Sequence, residues 1–219
     1  MHGDQLVIEA HHVKAAEGIL ALLGPALSQG DRKQVLTIAG ESGSGKSETA
    51  AALRDCLADQ GIEAVIFQQD DYFVHPPHSN DRARRQDIDW VGPGEVRLAL
   101  LDQHLAAFKR GEAEIDKPLV IYAEDRIDSE TLKLESARIA IAEGTYTSLL
   151  EQADWRVFID RTLEQTRAHR EKRRRHDSEL DPFIDRVLAI EHEIIRQHRD
   201  RADLIVHADY SVSCVEDGA

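Results

Sequence analysis

Eight consecutive residues, Gly40-Glu41-Ser42-Gly43-Ser44-Gly45-Lys46-Ser47, match the pattern G-x-x-x-x-G-K-[ST] without a mismatch. This spacing serves polyphosphate binding. Glycines at 40, 43 and 45 let the main chain curl around an anion without Cβ clashes, so that successive backbone N–H groups form a nest. Lys46 then reaches the β- and γ-phosphates, and the Ser47 hydroxyl is a ligand for Mg²⁺. Ser42, Ser44 and Glu48 complete the expected nucleotide-contacting set.

Three further groups could act on a phosphate held there. Asp70 and Asp71 open the run Asp70-Asp71-Tyr72-Phe73, where a carboxylate could take the proton of an acceptor hydroxyl or help hold Mg²⁺. Glu143, before Gly144, is a second candidate for the metal, and its length suggests a reach through water. Arg167, Arg170, Lys172, Arg173, Arg174 and Arg175 form a basic cluster suited to a lid that stabilises transferred charge.

Other clusters carry less. His11-His12 has no further metal ligands nearby and reads as a solvated helix start. His75-Pro76-Pro77-His78 reads as part of a stiff, extended loop from Val74 to Asp87. His192-Glu193 lacks the second histidine of a zinc-protease motif, because position 196 is Arg196.

The elements that would position these groups follow from periodicity. Gln34 to Ala39, Ile62 to Phe67, Ala137 to Ala142, Val157 to Asp160 and Leu204 to His207 read as five buried strands. Helices are expected over residues 12–27, from Glu48 to Gln60 with Gly61 as its stop, and from Glu95 to Arg110 with Gly111 as its stop. Leu119 to Tyr122 and Thr131 to Leu134 read as two short strands around the acidic turn Glu124-Asp125-Arg126. The expected fold is therefore α/β, a P-loop NTPase: a five-stranded parallel sheet covered by helices on both faces, with a substrate-binding insertion and an arginine-rich lid helix. Residues 1–33 form an N-terminal extension with an amphipathic helix. Residues 34–219 form the catalytic domain, with the acceptor region at 70–135 and the lid at 161–180.

The 219 residues suffice for one α/β domain. With 27 basic against 41 acidic residues, the net charge of −14 argues against a nucleic-acid partner. Two cysteines make no disulfide framework, and the chain shows no signal-peptide pattern and no apolar run long enough to span a membrane. A cytoplasmic setting is expected, and a homo-oligomer is left open.

In this order, the phosphate loop, the strand-end Asp with two aromatics, the Glu-Gly and the late arginine-rich helix resemble the uridine kinase and phosphoribulokinase family of small-molecule kinases. The likeness runs from about Gln34 to Asp209. It implies ATP as donor, Mg²⁺ as cofactor and a small-molecule hydroxyl as acceptor, with Asp70 as general base and Asp71 as its rival. It also implies a catalytic set of Asp70, Lys46, Arg170 and Arg174, and metal contacts from Ser47, Glu143 and Asp70. The acceptor region would draw on Asp70, Tyr72, Asp89, Tyr122, Arg126 and Arg167. Uridine kinases follow a Pro-x-Tyr-Asp segment with a histidine; here Pro118 to Tyr122 is more widely spaced, and no histidine precedes Arg126. A sugar, glycerate or pantothenate-type acceptor therefore stands beside a nucleoside or ribosyl one. A nucleotide-switched binding protein is a third reading, although the guanine-reading N-K-x-D pattern is absent.

Overall fold

The computed structural model describes residues 6–29, 32–162, 165–166 and 181–215. Its centre is β1 (Gln34–Gly40), a β-branched strand whose every residue is buried. Parallel neighbours flank it on both sides, β5 (Ile139–Glu143) and β6 (Trp155–Ile159). The sheet extends outward to β2 (Ala64–Gln68) on one side, and to β7 (Leu204–Val206) and β8 (Val212–Cys214) on the other, giving the order β2-β5-β1-β6-β7-β8. The five expected strands are all present and parallel. A sixth, β8, pairs antiparallel with β7 and covers its edge.

Alternation along the strands builds two cores. Leu36, Ile38, Ile139, Ile141, Val157, Ile159, Leu204 and Val206 face one side. Val35, Ala39, Ala140, Ala142, Phe158 and Ile205 face the other. The first face is covered by α1 (Ala10–Leu27) and α2 (Lys46–Asp59). The second is covered by α4 (Leu98–Arg110), together with residues from α5 (Pro182–Ile195). Helix α1 buries Ala15, Ala16, Ile19, Leu20, Leu23 and Leu27 in the same cluster as α2 and β1, while Leu22 stays 41% exposed.

Two features depart from the sequence reading. The stretch expected as a stiff, extended loop contains a helix, α3 (Pro77–Gln86). Pro77 sits where the first turn tolerates proline, and the cap comes from far away: Asp125 accepts from the backbone N–H of His78 at 2.7 Å and of Ser79 at 3.2 Å. The two short strands are a longer antiparallel hairpin, β3 (Glu114–Ile121) and β4 (Arg126–Lys133), forming a separate two-stranded sheet. Polar cross-strand pairs such as Asp116–Thr131 and Lys117–Glu130 hold the parts that an apolar-run reading passes over.

Candidate active site

The strand register sets the level of the site. Ile38, Glu143 and Gln68 are partners across β1, β5 and β2, so the phosphate loop and Asp70 both begin two residues beyond a shared line. Ligands in open α/β sheets bind at these carboxyl ends.

In the loop, Gly43 and Gly45 have φ of +75° and +92°, the left-handed region where a side chain is strained. A Cβ on Gly40 would lie 2.9 Å from the Ile159 carbonyl and 3.0 Å from Ser44 Oγ. Ser44 is fully buried and its hydroxyl finds no partner among the described residues, a donor suited to a phosphate oxygen. Lys46 Nζ donates to the Glu41 carbonyl at 2.8 Å, bent back over its own loop. The Glu41 carboxylate meets His192 Nδ1 of α5 at 2.5 Å. Ser42 is half-buried within the loop, and Glu48 is buried in the first turn of α2.

Glu143 is nearly buried and hydrogen-bonded to Ser47. Burial, and then the charge of Asp70, push its carboxyl up to about 7, with Lys46 opposing. Ser47, Glu143 and Asp70 are thus three oxygen donors, and a cation would relieve the repulsion between the two carboxylates. No group of three or more His, Cys, Asp or Glu side chains suited to a metal occurs among the described residues. Mg²⁺ fits such a site, because it takes one or two carboxylates and completes its shell with substrate phosphates and water.

The two aspartates separate cleanly. Asp71 is buried in an ion pair with Lys117 at 2.7 Å and accepts from Val120 N–H at 3.0 Å, tying the turn to the hairpin. Asp70 is half-buried, and its charge acts on Glu143. Gly144 lets this turn pass close by: a Cβ there would lie 2.2 Å from Gln69 Cβ.

Other expected acceptor residues fare differently. Tyr72 is fully buried, its hydroxyl 2.9 Å from His104 Nδ1, so the core takes it rather than the acceptor. Arg126 is 49% exposed and paired with Glu124 and Asp128 within the hairpin. Asp89 is exposed on a short 3₁₀ turn next to Trp90. Tyr122 is half-buried, with its ring 5.3 Å from that of His78. Arg167, Arg170 and Arg174 lie outside the described residues.

The sequence reading missed a buried polar network behind this site. Glu95 is fully buried, binds Arg84 Nε at 2.6 Å and Gly92 N–H at 2.8 Å, and also meets Asn80. Arg84 extends to Glu191 of α5 at 3.0 Å, and Asn80 accepts from the Trp90 indole at 2.9 Å. Burial raises the Glu191 carboxyl above its usual range, with Arg84 opposing and Glu95 adding to the rise. The residues α3, the Gly-Pro-Gly turn and α5 are locked together by it. Its one sequence signal was Glu95 following Gly92-Pro93-Gly94.

The profile of the phosphoribulokinase/uridine kinase family matches residues 35–211. The chain belongs to that family. It is 31% identical over 184 residues to the uridine kinase of Salmonella typhimurium, covering 78% of this chain and 85% of that one. It is 29% identical over 194 residues to the bifunctional alpha-galactosidase/sucrose kinase AgaSK of Mediterraneibacter gnavus, covering 83% of this chain but only 21% of that longer protein. The D-glycerate 3-kinase of Cryptococcus neoformans var. grubii shares the fold, with a TM-score of 0.62 at 16% identity over 94% of this chain and 100% of the other. The mostly parallel sheet with helices on both faces is the architecture of these P-loop kinases. No helix among the described residues is long and apolar enough to cross a membrane.

Proposed function

We propose that this family member is an ATP-dependent kinase that transfers the γ-phosphoryl group to a hydroxyl of a small metabolite, with a nucleoside or ribosyl acceptor favoured. The observation that carries this reading is the convergence of Ser47, Glu143 and Asp70, with Lys46 beside them, at the ends of β1, β5 and β2. Backbone amides of the loop and the Ser44 hydroxyl hold the phosphates. Lys46 swings from the Glu41 carbonyl onto the β- and γ-oxygens. Mg²⁺ held by Ser47 and Glu143 would supply charge neutralisation on those oxygens. Asp70 orients the acceptor hydroxyl and takes its proton as the oxygen attacks phosphorus. Asp71, committed to Lys117, is not the base in this reading.

The acceptor preference rests on the relatives and on the hairpin. The similar proteins act, by name, on uridine, sucrose and glycerate, so the family alone supports only a small hydroxyl compound. The His78–Tyr122 pair adds two planar rings where the hairpin meets α3, a surface suited to a flat base. Asp70→Asn is expected to leave ATP affinity nearly intact while lowering kcat about 10²-fold. Steady-state kinetics, with the acceptor chosen by an ATP-consumption screen over nucleosides, sugars, glycerate and pantothenate, tests it. Full kcat in that variant would remove Asp70 from the mechanism.

A further inference from the structure

The kinase reading leaves the histidine pair of α1 without a task, and the structure does not place it in solvent. Asp70 and Glu143 lie at the ends of β2 and β5, on one side of β1. A triphosphate held by the loop with its γ end toward them sends its nucleoside the other way, over the ends of β6 and β7. There four side chains from three distant segments meet. His11 and His12 belong to the first turn of α1, Arg161 follows β6, and Tyr210 follows β7.

The cluster is closely built. His12 is fully buried, and its Nε2 lies 3.0 Å from where a Cβ on Gly45 of the phosphate loop would be. The His11 ring is 4.0 Å from that of His12 and 4.2 Å from that of Tyr210. The Arg161 guanidinium stands 5.0 Å from the Tyr210 ring centre and also meets its hydroxyl, while the buried Arg161 Nε has no partner among the described residues. Tyr210 holds φ of +63°, a conformation that a bulky residue keeps only where its surroundings impose it. Burial raises its phenol above the ordinary range, with the charge of Arg161 opposing and those of Glu9 and Glu48 adding to the rise. His12 Nδ1 accepts from the Glu9 N–H at 3.0 Å, so a neutral His12 carries its proton on Nε2 and offers it to His11 Nε2 at 3.1 Å. His11 is thereby fixed in place with 34% of its side chain exposed, the outermost ring of the stack.

We propose that this cluster receives the base of the donor nucleotide, with His11 as the ring on which the base stacks and His12, Tyr210 and Arg161 as its backing. The inference rests on the kinase reading's placement of the triphosphate. It makes α1 part of the donor site although α1 precedes residues 35–211, which carry the family match. Stacking on an aromatic face is strong and tolerant of which base is bound, and a guanidinium behind the ring reinforces it.

The test is calorimetric binding of ADP and of inorganic tripolyphosphate, which has phosphates but no base, to the full chain and its variants. His11→Ala is expected to weaken ADP about fivefold or more while leaving tripolyphosphate unchanged. His11→Phe, which keeps a flat ring, is expected to hold ADP near wild-type affinity. Retained tripolyphosphate binding shows that each variant is folded. An unchanged ratio of the two affinities in His11→Ala would overturn the stacking role, as would an equal loss in His11→Phe. A wild-type chain that binds neither ligand would bring down the phosphate-loop reading itself, and this inference with it.

Discussion

On the donor side, the residues from Gly40 to Ser47 carry their geometry in their own backbone, through left-handed glycines and the start of α2. The proposed acceptor side would be assembled from the turn at Asp70, α3, the Gly-Pro-Gly turn, the β3–β4 hairpin and α5, and no one of these fixes its own position. Long-range pairs do that: Asp71 with Lys117, Asp125 with the start of α3, and Glu95 with Arg84 and Glu191. The donor half is a local conformation and the acceptor half a set of tertiary contacts. Neighbouring aspartates show the contrast within one turn, since Asp71 is spent on holding the hairpin and Asp70 is left to the site.

If this division holds, damage to the two halves should be read by different instruments. Lys46→Ala is expected to lower kcat about 10³-fold or more, because it removes a charge aimed at the transferring group, while the melting temperature stays close to wild type. A large loss of stability instead would blur the division. Arg84→Met should do the reverse. It leaves Glu95 and Glu191 buried without their cation and is expected to cost about 3–5 kcal/mol in denaturant unfolding. A near-neutral result would mean that the acceptor elements are held by something other than this network.

Glu143 gives a pH signature. Its carboxyl is raised to about 7 in the folded chain, so the native state binds the proton more tightly than the unfolded one. That contribution is fully present below the unfolded value near 4.5 and is lost as pH rises toward 7. The ligand-free protein should therefore lose about 3 kcal/mol across that interval, and Glu143→Gln should flatten the slope. Mg²⁺ with nucleotide should flatten it as well. The smallest effect is expected for Arg126→Ala: its pairs with Glu124 and Asp128 are exposed and screened by solvent, so both kcat and stability should be nearly unmoved.

What the sequence made legible follows the same line. The five parallel strands were visible because buried strands are apolar runs, and Gly61 and Gly111 marked their helix ends correctly, with φ of +74° and +83°. Helix α3 was hidden because its cap, Asp125, lies more than forty residues downstream, and a proline pair without a visible cap reads as a loop. Tyr72 was assigned outward by motif, yet His104 on α4 satisfies its hydroxyl inside the core. His12 was assigned to solvent by its chemistry, and the contact that buries it, with Gly45, joins two segments that no short pattern links. Periodicity reports which face of an element is wet; it does not report which distant residue waits there.

Gly144 has one more implication. A single added methyl at that position would meet Gln69, the residue just before Asp70, and could be accommodated only if the two strand ends moved apart. The approach of the Asp70 turn to the end of β5 is therefore gauged by a missing atom. Gly144 thus acts as a spacer, holding the end of β5 as close to Gln69 as a bare backbone allows.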